Sequence, residues 1–278
     1  MSTYFIGDIH GCYYELSNLL KKVSFSSVTD TLWLTGDLVT RGPNSLQVLR
    51  YIKSLGPRVK LVLGNQDIKF ISIYNGIIQP KLSDNLTELI EAPDASVLME
   101  WLRLQPLLQI DENKQIVMSH AGIFPHWNLD MTQKYAKEVK LILSSSNYLH
   151  FLQDLYNGSQ DCSEKNIIKL RFITNVLTRM RYCFPNGQLD FSCKLPPPLA
   201  PKPLIPWFSI PRTKKFSNIN YTMVFGHWSS LKGKYTPSNI ISLDTGCCWG
   251  GNLTMFCWED NYYLSYSSRK NQFFTYIK

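Results

Sequence analysis

Three short apolar segments in the amino-terminal half of the chain each run into a polar cluster and then into a helical pattern. The apolar segments with their polar ends cover residues 4–11, 31–37 and 59–67. Between them, residues 13–23 and 45–55 place leucine, isoleucine and valine at helical spacing. Strands that alternate with helices form a parallel sheet, and ligands bind beyond the carboxyl ends of its strands. The polar clusters are therefore predicted to gather at one edge of a sheet.

The first polar cluster combines a carboxylate, Asp8, with an imidazole, His10, in the stretch YFIGDIHG. Residues two apart in an extended segment point to the same face, so both side chains can reach one ion. Gly7 and Gly11 let the backbone approach that ion closely and turn sharply afterwards. Because a single D-x-H triplet often arises by chance, the metal-binding interpretation depends on what the other strand ends contribute.

Four further strand ends carry groups that bind metals. With the first cluster they supply Asp8, His10, Asp37, Asn65, His120 and His227. Each residue alone fits an ordinary turn, cap or core histidine, but their recurrence at five strand ends favours a metal site. Carboxylate, imidazole and amide oxygen suit Mn²⁺, Co²⁺, Fe or Zn²⁺. Six groups exceed the needs of one tetrahedral ion and suit two ions that share a carboxylate, which is an arrangement built for in-line displacement at phosphorus.

The later strands are predicted to complete the sheet core. Residues 68–104 are mostly helical in pattern, and residues 107–118 indicate a hairpin. Another strand covers residues 221–225, and residues 240–266 indicate antiparallel strands. We therefore expect an α/β sandwich with parallel strands in the amino-terminal half and antiparallel strands at the carboxyl end.

A cap over the site is predicted from the region between these strands. Residues 130–182 carry a helical pattern, and the proline-rich residues 194–206 indicate an extended connector without a helix. The connector is expected to wrap the surface rather than to separate two independent units. The expectation is a single domain over residues 1–278 with a helical and proline-rich cap insertion at about residues 130–215.

Composition limits the partners and the compartment. The net charge of +8 permits an anionic partner, although the basic residues are scattered and abundant lysine alone explains the total. Seven cysteines without a C-x-x-C pair indicate reduced thiols. The amino terminus lacks a basic start with a long apolar run, and no stretch of 18 apolar residues occurs. These features predict a soluble cytoplasmic protein without a membrane partner.

Five short blocks carry a family resemblance. They are GDIHG at 7–11, GDLVTRGP at 36–43, GNQD at 64–67, SHAG at 119–122 and FGHW at 225–228. The blocks resemble the metal-binding motifs of the phosphoprotein-phosphatase branch of the metallophosphoesterases. Longer strings, among them TLWLTGDLVTRGP, LRFITNVLTRMRYCFPNGQLD and LDTGCCWGGNLT, resemble more narrowly the bacterial symmetrical diadenosine tetraphosphatases. The implied fold is a metallophosphoesterase-like four-layer sandwich with a mixed central β-sheet core and a helical cap.

The resemblance implies a cofactor and a reaction. One metal would be held by Asp8, His10 and Asp37, and the other by Asp37, Asn65, His120 and His227. The implied cofactor is two divalent ions, Mn or Co, with Fe or Zn as alternatives, and a hydroxide that bridges them would be the nucleophile. The implied reaction is hydrolysis of diadenosine tetraphosphate to two ADP, which makes a dinucleoside polyphosphate the small-molecule partner.

The resemblance also implies roles for neighbouring residues. Arg41 would grip phosphate through its planar fork. Arg179 and Arg181 are further candidate phosphate clamps, although a solvated helix face explains each equally well. Asp67 closes the GNQD block and is counted, with Gln66, among the candidate catalytic residues.

Two departures from the family pattern bear on activity. Gln66 stands where the family carries a histidine that acts as general acid, and glutamine cannot give up a proton. Thr40 stands where protein phosphatases carry an aspartate that partners this histidine. A nucleotide phosphate is a good leaving group, so we expect a slowed enzyme with its metals intact. The alternatives are a phosphatase for nucleotide-capped RNA or phosphoprotein, and a metal-dependent dinucleotide-binding protein without turnover.

Overall fold

The computed structural model describes residues 1–157, 165–212, 216–217 and 220–270. Within these ranges the strands are β1 Thr3–Ile6, β2 Thr31–Leu34, β3 Val59–Leu61, β4 Leu108–Asp111, β5 Ile116–Ser119, β6 Tyr182–Cys183, β7 Leu189–Asp190, β8 Ile205–Pro206, β9 Thr222–Phe225, β10 Ile240–Ser242, β11 Asn252–Cys257 and β12 Tyr262–Ser267. The helices are α1 Tyr13–Lys22, α2 Ser45–Ser54, α3 Asn65–Tyr74, α4 Thr87–Ile90, α5 Ala95–Arg103, α6 Leu129–Ser144, α7 Tyr148–Asn157 and α8 Lys165–Arg179. Among these helices, none combines the length and the apolar character that a membrane crossing requires.

Two mixed sheets form the centre of the fold. The first has the strand order β12-β11-β1-β2-β3, in which β1, β2 and β3 run parallel as predicted. The second has the order β10-β9-β5-β4, and the predicted hairpin is the antiparallel pair β4 and β5. Both sheets therefore direct the carboxyl ends of their parallel strands towards the side of the molecule where the polar clusters lie.

One expectation for the carboxyl-terminal strands is wrong. Strand β10 was expected to be antiparallel, but it runs parallel to β9, with Ile240 opposite Met223. The reason is the length of the connection, because residues 226–239 provide the crossover of a dozen or more residues that a parallel pair needs. Strands β11 and β12 form an antiparallel pair as expected.

The two sheets pack face to face. Their shared core contains Phe5 and Trp33 from the first sheet and Met118 and Val224 from the second. Side chains that alternate with these along the strands belong to a larger core shared with the helices; examples are Ile6, Leu34, Val117, Leu16, Val48, Val139 and Leu177. The layers of helix, sheet, sheet and helix confirm the predicted α/β sandwich.

The region expected to form the cap contains helices and a small sheet. Helices α6, α7 and α8 occupy much of the predicted helical stretch, while residues 158–164 lie outside the described part of the chain. The proline-rich residues 194–206 are not wholly helix-free, because Pro197–Leu199 form one 3-10 turn. Strand β8 at the end of this segment pairs with β6, which places the segment beside the strand that follows α8.

Candidate metal centre

Six candidate ligands lie where strands end or where a helix begins. Asp8 and His10 follow β1, Asp37 follows β2, Asn65 begins α3, His120 follows β5 and His227 follows β9. The backbone of His10, Asp37 and His227 is left-handed, with φ values of 45°, 50° and 61°. This conformation is uncommon for residues other than glycine, and it occurs often at functional sites.

Two glycines allow the backbone to approach the carboxylates closely. A Cβ atom at Gly226 would overlap Oδ1 of Asp8, and a Cβ atom at Gly64 would overlap Oδ1 of Asp37. Both glycines come directly before a candidate ligand, His227 or Asn65. Their lack of a side chain therefore determines how tightly the ligands cluster.

Asp37 lies between two groups of ligands. Its Oδ2 is 3.6 Å from Nε2 of His10 and 3.5 Å from Nε2 of His120. Nε2 of His120 is also 3.2 Å from Oδ1 of Asn65. Ligand atoms of Asp8, His10 and Asp37 all lie within 4.8 Å of one another. The carboxylate of Asp37 therefore occupies the position that a shared ligand requires.

Each of the three candidate histidine ligands has one ring nitrogen hydrogen-bonded to a backbone carbonyl oxygen. Nδ1 of His10 is 3.2 Å from the carbonyl oxygen of Val39, and Nδ1 of His120 is 2.7 Å from that of Thr35. His227 uses Nε2, which is 3.1 Å from the carbonyl oxygen of Arg179. Since a carbonyl only accepts, these nitrogens are the donors, and the other nitrogen of each ring keeps its lone pair for a metal.

The charges at the centre also favour a cation. Burial raises the pKa of Asp8 well above its ordinary value, and the carboxylates of Asp244 and Asp37 raise it further. Burial lowers the pKa values of His10 and His120, which keeps both imidazoles neutral. Crowded carboxylates with neutral imidazoles fit divalent ions in donor type and in charge.

Asp67 lies behind the ligands and is fully buried. Its carboxylate accepts hydrogen bonds from the backbone N–H groups of Asp37, Leu38 and Gly64 at 2.8–2.9 Å. Burial, with a contribution from Asp37, raises its pKa to about 8 although these hydrogen bonds oppose the shift. This candidate catalytic residue is therefore placed where it positions Asp37 rather than in the wall of the cavity.

Gln66 faces the cavity and contacts the second unusual residue of the sequence. Its backbone N–H donates to Oδ1 of Asp37 at 2.7 Å. Its side-chain Oε1 accepts from the hydroxyl of Thr40 at 3.4 Å. Since Oε1 faces Thr40, the Nε2 group, which is a donor only, is the part of the amide left for a substrate.

The cavity has a volume of about 310 Å³ and contains two of the three predicted arginines. Arg41 and Arg181 belong to its wall, and the guanidinium of Arg181 donates to the carbonyl oxygen of His227 at 2.9 Å. Arg179 is not part of the wall, since its guanidinium lies over the ring of Tyr156 at 5.5 Å. Arg181 therefore lines the cavity and Arg179 does not, although the sequence offered no reason to prefer either as a phosphate clamp.

Six residues of the cavity wall were not among the predicted site residues: Lys194, Trp228, Ser229, Ser230, Asp244 and Trp249. Asp244 could have been found, because it follows β10 by two residues as Asp8 follows β1. Burial raises the pKa of Asp244 to about 6, while the backbone N–H of Gly246 lowers it. Lys194 begins the proline-rich segment that was expected to belong to the cap, but no local pattern indicates which residue of that segment reaches the cavity.

Comparison with known proteins agrees with this geometry. Residues 1–180 match the family model of the calcineurin-like phosphoesterases, and the chain belongs to this family. It is 54% identical over 270 residues to the symmetrical bis(5'-nucleosyl)-tetraphosphatase of Serratia proteamaculans, with 95% of this chain and 94% of the relative covered. The protein of the same name from Erwinia tasmaniensis is 54% identical over 275 residues, with 98% and 99% covered. These relatives confirm the predicted resemblance to the symmetrical tetraphosphatases, and the chain is a member of that family of hydrolases.

A solved structure supports the fold independently of close sequence similarity. A crystal structure of a candidate diadenosine tetraphosphatase superposes with a TM-score of 0.63 at 23% identity, with 96% of this chain and 93% of that chain covered. At this identity the likeness concerns the fold alone. It agrees with the α/β sandwich described above.

Proposed function

We propose that the protein hydrolyses diadenosine tetraphosphate to two molecules of ADP in the cavity that contains the candidate metal centre. The observation that carries the proposal is that five metal-ligand side chains share one cavity wall with Arg41 and Arg181, while the sixth, the fully buried His120, contacts Asp37 and Asn65 from behind that wall. The names of relatives at 54% identity supply the substrate class. Guanidinium groups beside a metal centre suit a polyphosphate better than a neutral substrate.

The proposed cofactor is a pair of divalent ions. Asp8, His10 and Asp37 would hold one ion, and Asp37, Asn65, His120 and His227 would hold the other. The mixed oxygen and nitrogen donors suit Mn²⁺ or Co²⁺ and also accommodate Fe or Zn²⁺. When bound, such ions supply a hydroxide at neutral pH and neutralise charge on phosphoryl oxygens.

The residues of the chain orient the substrate and the ligands. Arg41 and Arg181 bind the phosphate oxygens through their planar donor groups. Asp67 fixes Asp37 and the start of α3 through three backbone hydrogen bonds. Gln66 donates a hydrogen bond to the departing ADP without transferring a proton. Such help is weaker than general acid catalysis, so the proposal includes a slowed reaction.

The test is the release of ADP from diadenosine tetraphosphate in the presence of Mn²⁺ or Co²⁺. We expect ADP as the sole nucleotide product, no product after chelation, and none from an Asp37→Asn variant, because that substitution removes the shared carboxylate. Formation of AMP and ATP would contradict symmetrical cleavage. A metal-loaded protein that binds the dinucleotide without releasing ADP would contradict the hydrolase proposal.

The main rival is a metal-dependent dinucleotide-binding protein without turnover. The contact between Gln66 and Thr40 favours this rival, because neither side chain can supply a proton to a leaving group. Phosphatases for nucleotide-capped RNA or phosphoprotein are weaker rivals. The same assay with a capped RNA and a phosphopeptide in place of the dinucleotide separates them.

The cytoplasm is the proposed compartment. Six cysteines in the described part of the chain are free thiols, and all six are buried. A reducing compartment preserves thiols in this state. Fractionation of cells that express the protein tests this proposal, and recovery in an oxidising compartment would contradict it.

A further inference from the structure

Trp249 is unusually exposed for a tryptophan at the wall of a cavity. Its side chain is 62% exposed, whereas Trp207 and Trp228 are each 1% exposed. Trp249 lines the cavity that contains the candidate metal centre, and so does Trp228. What distinguishes Trp249 from the other exposed aromatic side chains of the described residues is its place in the wall of this cavity.

The turn that carries Trp249 is well held by its backbone. The N–H of Trp249 donates to the carbonyl oxygen of Gly246 at 2.9 Å, and that of Gly250 donates to Cys247 at 3.1 Å. Gly246 and Gly250 have φ values of 76° and 90°, which favour glycine. Oδ1 of Asp244 accepts from the N–H of Gly246 at 3.0 Å. The backbone that carries the ring is therefore fixed relative to the cavity, and the ring itself is not packed into a core.

Arg41 lies against this ring. Its guanidinium carbon is 4.8 Å from the ring centroid, over the face of the indole. The backbone of Arg41 is itself fixed, because its N–H donates to the carbonyl oxygen of Asp84 and its carbonyl oxygen accepts from the side chain of Asn85. A cation that binds phosphate and an aromatic ring with exposed surface are therefore adjacent.

We propose that Trp249 is the stacking platform for one nucleobase of the substrate, while Arg41 contacts the phosphates of the same nucleotide. This inference rests on the proposed function, since it assigns the base of that substrate to a site. An indole face stacks with any base, because every base has a π face. The platform therefore recognises the presence of a base and discriminates little between adenine and other purines.

The test compares a ligand with a base and a ligand without one. Binding of ADP and of pyrophosphate to the Mn²⁺-loaded protein is measured by calorimetry for the wild type, Trp249→Ala and Trp249→Phe. Loss of one stacked base corresponds to about 5- to 150-fold weaker binding. We expect a loss in this range for ADP with Trp249→Ala, unchanged binding of pyrophosphate, and retention of most ADP affinity with Trp249→Phe.

A matched control uses Tyr263, an aromatic residue on β12 that is 56% exposed and is not part of the cavity wall. Tyr263→Ala is expected to bind both ligands as the wild type does. Equal losses of ADP and pyrophosphate in Trp249→Ala would overturn the inference, since the ring would then act only by placing Arg41. Unchanged ADP binding would overturn it as well.

The binding test does not depend on turnover. If the wild type releases no ADP from diadenosine tetraphosphate but Trp249→Ala selectively loses ADP binding, the proposed function fails and the platform stands. If the wild type hydrolyses the substrate and the preference of Trp249→Ala for ADP over pyrophosphate is unchanged, the platform fails and the proposed function stands.

Discussion

Each histidine of the candidate centre gives one ring nitrogen to the backbone and keeps the other for the cavity. The carbonyl partners are Val39 and Thr35, both in the loop between β2 and α2, and Arg179 at the end of α8. These hydrogen bonds fix the tautomer and the orientation of each ring before any ion binds. The candidate centre is therefore preorganised at the level of single residues.

Removal of metal is expected to destabilise the protein. Asp8 and Asp37 are buried beside each other, and without a cation their carboxylates repel. An ion present at about 100 times its dissociation constant adds roughly 2.7 kcal/mol to the stability of the folded state. We expect the midpoint of thermal unfolding to fall when EDTA replaces Mn²⁺.

The Asp37→Asn variant is the control for this effect. It removes one of the repelling charges, so the metal-free variant should be at least as stable as the metal-free wild type. It should also lose most of the stabilisation by Mn²⁺. A variant with the full metal-induced shift would show that Asp37 is not a ligand.

The Gln66→His substitution is expected to raise kcat for diadenosine tetraphosphate. General acid catalysis contributes roughly 10²–10⁴-fold, and a phosphate leaving group needs less help, so a gain of about tenfold is expected. The variant should also gain a fall in kcat at high pH, because histidine donates only when protonated. Steady-state rates between pH 5 and 9 measure both effects.

Gln66→Leu provides the matched control, because it removes the hydrogen-bond donor and keeps a similar side-chain size. We expect it to lower kcat below that of the wild type. An unchanged rate in both variants would mean that residue 66 does not contact the leaving group.

The end of α8 shows what a sequence pattern cannot decide. Arg179 and Arg181 lie two residues apart in a stretch with one continuous helical pattern. The helix ends at Arg179, and Arg181 comes directly before β6. Helix ends are uncertain by one or two residues in any pattern, and here that margin decides which arginine reaches the cavity.

Strand direction is a second property that local pattern does not contain. Asp8, Asp37 and His227 could be predicted as candidate ligands because each follows an apolar strand. Both the apolar run and the polar residue after it can be recognised within a short stretch of sequence. Asp244 obeys the same rule but follows a strand whose direction was expected to be antiparallel. Direction depends on the path of the preceding crossover, which is a tertiary property. The path of the segment that contains Lys194 is tertiary for the same reason.

The segment from Lys81 to Asn85 holds the backbone of Arg41 through hydrogen bonds from and to Asp84 and Asn85. The substitution Asp84→Asn tests how much the carboxylate of Asp84 stabilises this segment. The carboxylate of Asp84 is 2.6 Å from Nζ of Lys69. Burial alone would raise the pKa of Asp84, but the hydrogen bonds from Lys69 and from the backbone of Lys81 lower it overall. A carboxyl group with a lowered pKa in the folded state stabilises that state above its unfolded pKa. The contribution disappears as pH falls through the folded value.

We therefore expect Asp84→Asn to cost about 1.5–3 kcal/mol of unfolding free energy at pH 7 and less at pH 3, because the pH has then fallen below the ordinary pKa of an aspartate. Urea unfolding at both pH values measures the difference. Asp94→Asn is the matched control, since the Arg50–Asp94 pair is exposed to solvent and contributes little to stability. Equal costs in the two variants would contradict the special role of the Asp84 segment.

The whole molecule combines a net charge of +8 with an acidic centre. Asp8, Asp37 and Asp244 lie in the cavity, while Arg41, Arg181 and Lys194 belong to the same wall. The acidic groups suit the proposed ions, and the basic groups are placed to bind the phosphates of the proposed substrate. A positive surround attracts a polyanionic substrate from a distance, and salt weakens that attraction.

Lys194 provides the test of this attraction. Its backbone carbonyl accepts a hydrogen bond from the hydroxyl of Ser230, which holds the backbone of this exposed lysine at the cavity wall. We expect Lys194→Ala to raise KM for diadenosine tetraphosphate about 3- to 10-fold at low salt with little change in kcat. At 1 M salt, where the Debye length is about 3 Å, the difference should largely vanish. Lys22→Ala changes an exposed lysine outside the cavity wall and should leave KM unchanged, whereas equal effects of the two substitutions would assign the attraction to net charge rather than to the site.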